Sequence, residues 1–244
     1  MKLQVIKTEA GFDSAAAERI IAAIKDPECN VIGLSTGRTT GNMHRLVAAA
    51  FREQRFDASK TTFFALDEIT GIPRDNHWAC YAKLKYEMLD ELGVDDQHFL
   101  ALPTHSDDFE KSAAEFYSEL QKRGGIDLLV LGLGEDGHLG FNIPGSSFEG
   151  GKHLFSMHAE LDRRIREDCG FDDSVKMGGI TIDIPEIMSA KTILMVAKGS
   201  NKAEILKKLI YGPVTEDVPA SILQRHPSCT ILMDDAAASC FPAE

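Results

Sequence analysis

The 244-residue sequence has few cysteines, a shortage of basic residues and no long hydrophobic run. Its five cysteines are far apart with no C-x-x-C pair, and their odd number argues against a disulfide framework. Because 26 basic residues face 38 acidic ones, the formal net charge is -12, which repels a nucleic-acid backbone. No apolar run approaches the roughly 18 residues of a membrane span, and residues 1–10 lack the apolar core of a signal peptide. These absences predict a cytoplasmic protein that binds neither nucleic acid nor membrane.

A hydrophobic content of 43% is enough to bury a core, and short apolar runs alternate with segments of helical spacing. The predicted strands are residues 30–35, 61–66, 126–134, 191–199 and 228–233, and the predicted helices are residues 40–54, 81–92, 108–123 and 201–212. Continuous apolar runs are typical of strands that are buried on both faces. The sequence therefore predicts an α/β fold in one domain, residues 1–244, with a Rossmann-like, mostly parallel sheet and helices on both faces.

Ligands of such sheets bind outside the carboxyl ends of the strands, so the residues after each strand are the candidate site. One further segment, residues 148–179, is polar and flanked by glycines. Long polar connections of this kind often cover a site, so the segment is predicted to be a mobile flap.

The stretch STGRTTGNM follows the first predicted strand and leads into a helix. Backbone N–H groups of a small-residue turn at a helix N-terminus can hold an anion. The candidate residues are Thr36, Gly37, Arg38 and Thr39, with further hydroxyl groups on Ser35 and Thr40. The spacing matches neither a Walker loop nor G-x-G-x-x-G, and an N-capped tight turn would account for the same residues.

Acidic residues and a histidine follow two other strands. Asp67 and Glu68 come directly after residues 61–66, and one of them is predicted to face the crevice as a general base, with helix capping as the alternative. Asp136 lies two residues before His138, close enough to orient its imidazole for proton transfer. These groups are also possible metal ligands, but no H-x-x-x-H or H-E-x-x-H helix is present, so the sequence favours a site without metal.

Lys202 falls in the first turn of a predicted helix, where the helix dipole disfavours a positive charge. A cation placed at the unfavourable end of a helix suggests that it serves a bound anion. Lys202 is therefore a fourth candidate for the site.

Five stretches carry a resemblance to a known family: LSTGRTT, FFALDEITGIP, LLVLGLGEDGHLGFNIPGSS, VAKGSNKA and VPASILQRHPSCTILMD. Through them the chain resembles the glucosamine-6-phosphate deaminases, in the group that also holds 6-phosphogluconolactonases. The resemblance implies a cofactor-free reaction on an amino-sugar phosphate. It implies that Asp67 moves the proton at C2, that His138 opens the sugar ring and that Asp136 holds the imidazole.

The resemblance also implies where the phosphate binds. It would lie on the backbone of Thr36, Gly37 and Arg38, with Lys202 as a cation. A flap arginine would complete the site, and the candidates are Arg163, Arg164 and Arg166.

The sequence departs from the family pattern at several positions. The usual FNEP is FNIP here, so Ile143 replaces a glutamate that completes the relay with the histidine. Arg38 and Thr40 replace a glycine and a proline of the phosphate loop. The basic residues of the family's allosteric site are not recognisable after the SS pair, and the DER of the lactonases reads DEI.

Three functions remain open from the sequence. The first is a deaminase/isomerase that converts glucosamine 6-phosphate or galactosamine 6-phosphate to a ketohexose 6-phosphate and ammonia. The second is a sugar-phosphate lactonase in which His138 activates water, and the third is a non-catalytic sugar-phosphate sensor. The sequence leaves the hexose epimer and the formation of a homo-oligomer open.

Overall fold

The computed structural model describes residues 1–241. The strands are β1 (Lys2–Ile6), β2 (Val31–Leu34), β3 (Thr62–Ala65), β4 (Asp67–Thr70), β5 (Phe99–Leu100), β6 (Leu128–Gly132), β7 (Leu154–Ser156), β8 (Gly178–Thr181), β9 (Thr192–Ala197) and β10 (Cys229–Asp234). The α-helices are α1 (Glu9–Lys25), α2 (Gly41–Gln54), α3 (Cys80–Leu84), α4 (Phe109–Lys122), α5 (Ala159–Cys169), α6 (Ile184–Met188) and α7 (Ala203–Tyr211). A π-helix (Lys85–Leu89) continues α3, and 3-10 helices cover Ser200–Lys202 and Pro219–Arg225.

The main sheet has seven parallel strands in the order β1-β10-β9-β6-β2-β3-β5. The five strands predicted from apolar runs are β2, β3, β6, β9 and β10, and they form most of it. The chain builds outward from β2 through β3 to β5, and then returns to the other side of β2 through β6. The strand order therefore reverses between β2 and β6, which is where open α/β sheets bind their ligands.

Helices cover both faces of this sheet, as predicted. Alternate residues of each strand point to opposite faces, so Ile32 and Val31 of β2 belong to two different cores. One core packs against α1, α2 and α3, and the other packs against α4, α6 and α7. Strands that bury both faces read as continuous apolar runs, which is why these runs identified them.

A second, antiparallel sheet of three strands, in the order β4-β8-β7, was not predicted. The segment 148–179, predicted to be a mobile flap, contributes β7 and the start of β8 to this sheet and also carries α5. Ile165 of α5 is fully buried in a small cluster with Ile69 and Ile72. The segment is thus tied to β4, the strand that begins with Asp67.

Helix α1 was also missed, although its sequence carries a start signal. The Thr8 side chain accepts a hydrogen bond from the N–H of Gly11, and Glu9 lies in the first turn. Phe12, Ala16 and Ile20 recur at helical spacing and are fully buried. Within residues 1–241, no helix is long and apolar enough to cross a membrane.

Candidate functional site

The candidate residues of the first and third predicted strands meet where the strand order reverses. The Ser35 hydroxyl, just after β2, accepts a hydrogen bond from the N–H of Gly132 at the end of β6, at 2.9 Å. The N–H of Ser35 in turn donates to the carbonyl of Val130. These bonds hold the turn after β2 beside the loop that carries Asp136 and His138.

The turn after β2 presents several free backbone donors. Among residues 1–241, no acceptor is bonded to the N–H groups of residues 36 to 39, whereas those of Thr40 and Gly41 both donate to the carbonyl of Gly37. Gly37 has a φ of 149°, and a side chain is disfavoured at that value. Thr40 is the N-cap of α2, but its side chain caps no N–H group. The geometry is that of an open anion cradle rather than of a side-chain-capped turn.

Three hydroxyl groups of this turn form hydrogen bonds within the protein. Ser35 bonds to Gly132, and the Thr40 hydroxyl donates to the carbonyl of Gly37 at 3.3 Å. The Thr36 hydroxyl donates to the sulfur of Cys80 at 3.0 Å. The Ser35 oxygen accepts in its bond, so its O–H stays available as a donor beside the free backbone N–H groups of residues 36 to 39.

Lys202 lies at the N-cap of α7, with 13% of its side chain exposed. Burial lowers the pKa of Lys202, and the nearby Arg38 charge lowers it further against the opposing charges of Glu135 and Asp136. Its amino group forms an ion pair with the carboxylate of Glu135 at 4.0 Å. That carboxylate accepts a hydrogen bond from Asn201. Two cations from different loops are thus close enough to interact unfavourably, and a bound anion would relieve that repulsion.

The two adjacent acids after β3 have different roles. Glu68 is fully buried and accepts hydrogen bonds from the N–H groups of Ile69, Cys80 and Tyr81 at 2.7 to 2.8 Å. It therefore ties β4 to the start of α3, which is the capping role that the sequence left open. Asp67 makes no such bonds to other residues of the described chain, so it is the acid available for chemistry.

Asp67 keeps part of its surface exposed, while burial of its carboxylate raises the pKa to about 6. The thiol of Cys80, with Sγ 3.4 Å from Oδ1, and the charge of His138 act in the opposite direction. The backbone of Gly140 passes close to this carboxylate, since a Cβ at position 140 would lie 3.5 Å from Asp67 Oδ2. A carboxylate with a pKa near neutrality can both take and return a proton at physiological pH.

Asp136 and His138 form a close pair. Oδ1 of Asp136 lies 2.6 Å from Nδ1 of His138 and also accepts from the His138 N–H at 3.1 Å. Burial raises the pKa of Asp136, but the His138 charge and these hydrogen bonds outweigh it, so the net pKa is lowered. Asp136 thus remains an anion that orients the ring and leaves Nε2 as the nitrogen for a substrate.

Gly134 leaves room for the imidazole of His138. A Cβ at Gly134 would lie 2.2 Å from Nδ1 of His138, so the imidazole itself occupies that space. The imidazole therefore packs against the backbone just after β6. A side chain at position 134 would therefore displace the histidine.

Ile143 is 41% exposed and faces a cavity of about 320 Å³. Lys152 and Asp183 also line this cavity, whereas Asp67 and His138 do not. The preceding residue, Asn142, is buried and donates to the carbonyls of Leu139 and Ile182. The backbone around position 143 is thus held in place, but its side chain offers no hydrogen bond to a relay.

The three candidate arginines of the segment 148–179 differ in their partners. Arg163 forms ion pairs with Glu160 and Glu167 on the same helix. Arg166 pairs with Asp162 at 2.6 Å and also donates to backbone carbonyls. Arg164 is exposed and lies 5.4 Å from the Trp78 ring centre, a cation–π contact that leaves its hydrogen-bond donors available.

Metal-ligating side chains gather in two other places within residues 1–241. These groups are His77 with Asp168 and Cys169, and His153 with Asp183 and Glu186. The hydrogen bond with Glu186 is the main reason that the pKa of His153 is raised to about 9, so a metal would have to displace a proton from its imidazole. Asp67, Asp136 and His138 belong to neither group.

The chain resembles proteins of one family over nearly its whole length. Residues 8–232 match the family described as glucosamine-6-phosphate isomerases/6-phosphogluconolactonase. The chain is 37% identical to a glucosamine-6-phosphate deaminase of Halalkalibacterium halodurans, with 97% of this chain and 96% of that protein covered. It is 31% identical to that of Thermoanaerobacter pseudethanolicus, with 100% and 96% covered.

Solved structures show the same relationship. A monomeric glucosamine-6-phosphate deaminase superimposes with a TM-score of 0.89 at 28% identity, covering 99% of this chain and 100% of that one. A 6-phosphogluconolactonase of Trypanosoma brucei reaches 0.75 at 19% identity, covering 99% and 98%, and so shares the fold. The resemblance found in the sequence motifs is confirmed. The chain belongs to the glucosamine-6-phosphate isomerase/6-phosphogluconolactonase family.

Proposed function

We propose that this protein is a hexosamine-6-phosphate deaminase/isomerase. It converts glucosamine 6-phosphate or galactosamine 6-phosphate to the ketohexose 6-phosphate and ammonia. The observation that carries the proposal is a carboxylate of raised pKa, Asp67, in electrostatic contact with the Asp136–His138 pair at the strand-order reversal. An anion cradle lies on the adjacent strand end, so one sugar phosphate would bring its reacting carbons to the acid and the histidine.

Each step of the reaction has a group suited to it. The phosphate binds to the N–H groups of residues 36 to 39, with Arg38 and Lys202 as cations. His138 transfers a proton to the ring oxygen as the ring opens, and Asp136 stabilises the imidazolium. Asp67 then takes the C2 proton and returns one to C1 through an enol-type intermediate, and water releases ammonia from the imine at C2.

The relatives favour this reaction over lactone hydrolysis. Three relatives that are 30 to 37% identical carry the deaminase name, whereas the 6-phosphogluconolactonase of Trypanosoma brucei is 19% identical and shares only the fold. Hydrolysis of a lactone removes no carbon-bound proton, so it gives Asp67 no proton to take from carbon. The raised pKa of Asp67 suits proton transfer at carbon.

The proposal is tested by one assay over five substrates. Glucosamine 6-phosphate, galactosamine 6-phosphate, glucose 6-phosphate, galactose 6-phosphate and 6-phosphogluconolactone are each incubated with the protein, and ammonia, ketose and acid formation are measured. We expect ammonia and ketose from at least one amino sugar. Acid from the lactone alone would replace the proposal by lactonase activity, and tight binding of every sugar phosphate without turnover would replace it by a sensor.

Lys202→Ala is expected to weaken binding of every phosphorylated ligand by about 1.5 to 3 kcal/mol, the range for a hydrogen bond to a charged group. Competition by inorganic phosphate should weaken in parallel. Isothermal titration measures both effects. Lys207→Ala, an exposed lysine on the same helix, is the matched control and should change neither. Unchanged phosphate competition in Lys202→Ala would remove this residue from the cradle.

We also propose that residues 1–244 act as one domain. The first strand, β1, pairs with the last, β10, so the first and last strands of the described chain belong to one sheet.

We further propose that Arg164 is the arginine that completes the phosphate site. Arg164 is preferred because neighbouring carboxylates hold Arg163 and Arg166.

A further inference from the structure

Cys80 lies between the anion cradle and the candidate base. It is the first residue of α3 and is 5% exposed. Its sulfur accepts a hydrogen bond from the Thr36 hydroxyl at 3.0 Å and lies 3.4 Å from Oδ1 of Asp67. The three side chains come from the turn after β2, from β4 and from α3, so the contact exists only in the folded protein.

The direction of these hydrogen bonds follows from the charge of the thiol. Burial raises the pKa of Cys80 well above its ordinary value, and the Asp67 and Glu68 charges raise it further. The thiol is therefore neutral at physiological pH. The Thr36 hydroxyl donates to the sulfur, and the S–H donates to the Asp67 carboxylate.

The backbone fixes the thiol in this position. Glu68 accepts hydrogen bonds from the N–H groups of both Cys80 and Tyr81, and it is adjacent to Asp67 in the chain. The first turn of α3 is thus anchored to the residue next to the base. The Cys80 thiol can therefore move away from Asp67 only if the hydrogen bonds from Cys80 and Tyr81 to the Glu68 carboxylate break.

We propose that Cys80 is a positioning residue that orients Asp67 and holds it in the carboxylate form by donating its S–H to Oδ1. The inference rests on the proposed function, in which Asp67 is the base at C2. A donor at Oδ1 leaves Oδ2 for the carbon-bound proton, since one oxygen is restrained while the other stays free. Because S–H is a weak donor, it favours the carboxylate without removing much of its basicity.

This role makes opposite predictions for two near-isosteric variants. Cys80→Ala removes the donor, so the acid limb of the kcat/KM profile, set by Asp67, should move to higher pH by about 0.5 to 1 unit. Cys80→Ser supplies a stronger O–H donor, so the limb should move to lower pH than in the wild type. We expect Cys80→Ala to lose kcat with little change in KM, and Cys80→Ser to recover most of it.

Steady-state rates of ketose formation between pH 4.5 and 9 measure these limbs. Thr36→Val removes the hydroxyl that polarises the thiol, so its limb should also move upward, by less than that of Cys80→Ala. This variant leaves α3 unaltered and so keeps the test decisive if Cys80→Ala fails to fold. The role of Cys80 would be overturned if the acid limb of the kcat/KM profile fell at the same pH in the wild type and all folded variants. A shift of that limb to lower pH in Cys80→Ala would overturn it as well.

The same measurements separate this inference from the proposed function. Normal wild-type turnover with coinciding limbs removes only the role of Cys80. No amino-sugar turnover by the wild type, under conditions in which sugar phosphates bind, removes the deaminase proposal and the role of Cys80 together.

Discussion

Asp67→Asn is expected to lower turnover of the amino-sugar phosphate by about 10²- to 10⁴-fold while leaving its binding nearly unchanged. The loss of a general base has this magnitude, and the substitution removes no contact of the phosphate cradle. Asparagine has nearly the same shape and can still accept from the Cys80 thiol, so the fold should be retained. Ketose formation measures the first effect, and titration calorimetry with the substrate measures the second.

Each competing function predicts a different result for this variant. Under the lactonase function the loss should be much smaller, because no carbon-bound proton is removed. Asp107→Asn, a substitution of an exposed acid, is the control and should change neither rate nor affinity. Unchanged ketose formation in Asp67→Asn would exclude proton abstraction by this carboxylate.

The sequence was informative about the fold wherever strands bury both faces. Runs such as residues 128–132 are apolar throughout because both of their faces meet helices, and this identified the central strands. The second sheet escaped notice because DEIT, LFS and GGIT are short and contain polar residues or glycine. Their strand conformation depends on pairing with one another, which no local pattern records.

The grouping of the candidate residues was predictable where they follow a strand, because the carboxyl ends of parallel strands share one edge. This rule placed the cradle, Asp67 and the Asp136–His138 pair together without any contact information. It could not divide roles between Asp67 and Glu68, which depends on how α3 folds back onto β4. Nor could it find Cys80, which lies 13 residues after Asp67 and reaches it only through that turn.

Ile143→Glu is expected to raise ammonia release from the preferred amino-sugar phosphate by tenfold or more. In the usual family pattern a glutamate at this position completes the relay with the histidine, whereas Ile143 can neither accept a proton nor stabilise the imidazolium of His138. Because His138 does not line the cavity that Ile143 faces, the gain requires the introduced carboxylate to turn from that cavity toward the imidazole. Loss of such an orienting partner typically costs about 10- to 100-fold, or about 1.4 to 2.7 kcal/mol of barrier. The wild type should therefore be slow on the cyclic sugar, and faster on a sugar phosphate that reaches the site already open.

The comparison with Ile143→Gln isolates the effect of the charge. Position 143 is 41% exposed and borders a cavity, so both polar side chains fit without a large desolvation cost. Only the glutamate can shuttle a proton, so only Ile143→Glu should gain ammonia release, and its gain should fall as the pH drops below the glutamate pKa. Lys152 lines the same cavity and would compete for the new carboxylate, so adding Lys152→Ala to Ile143→Glu should leave the gain intact or increase it. Two results together would contradict this expectation: Ile143→Glu releases no more ammonia from any amino sugar, and it loses a hydrolysis of 6-phosphogluconolactone that the wild type performs. The isoleucine would then belong to a lactonase site, because its replacement would have removed lactonase activity.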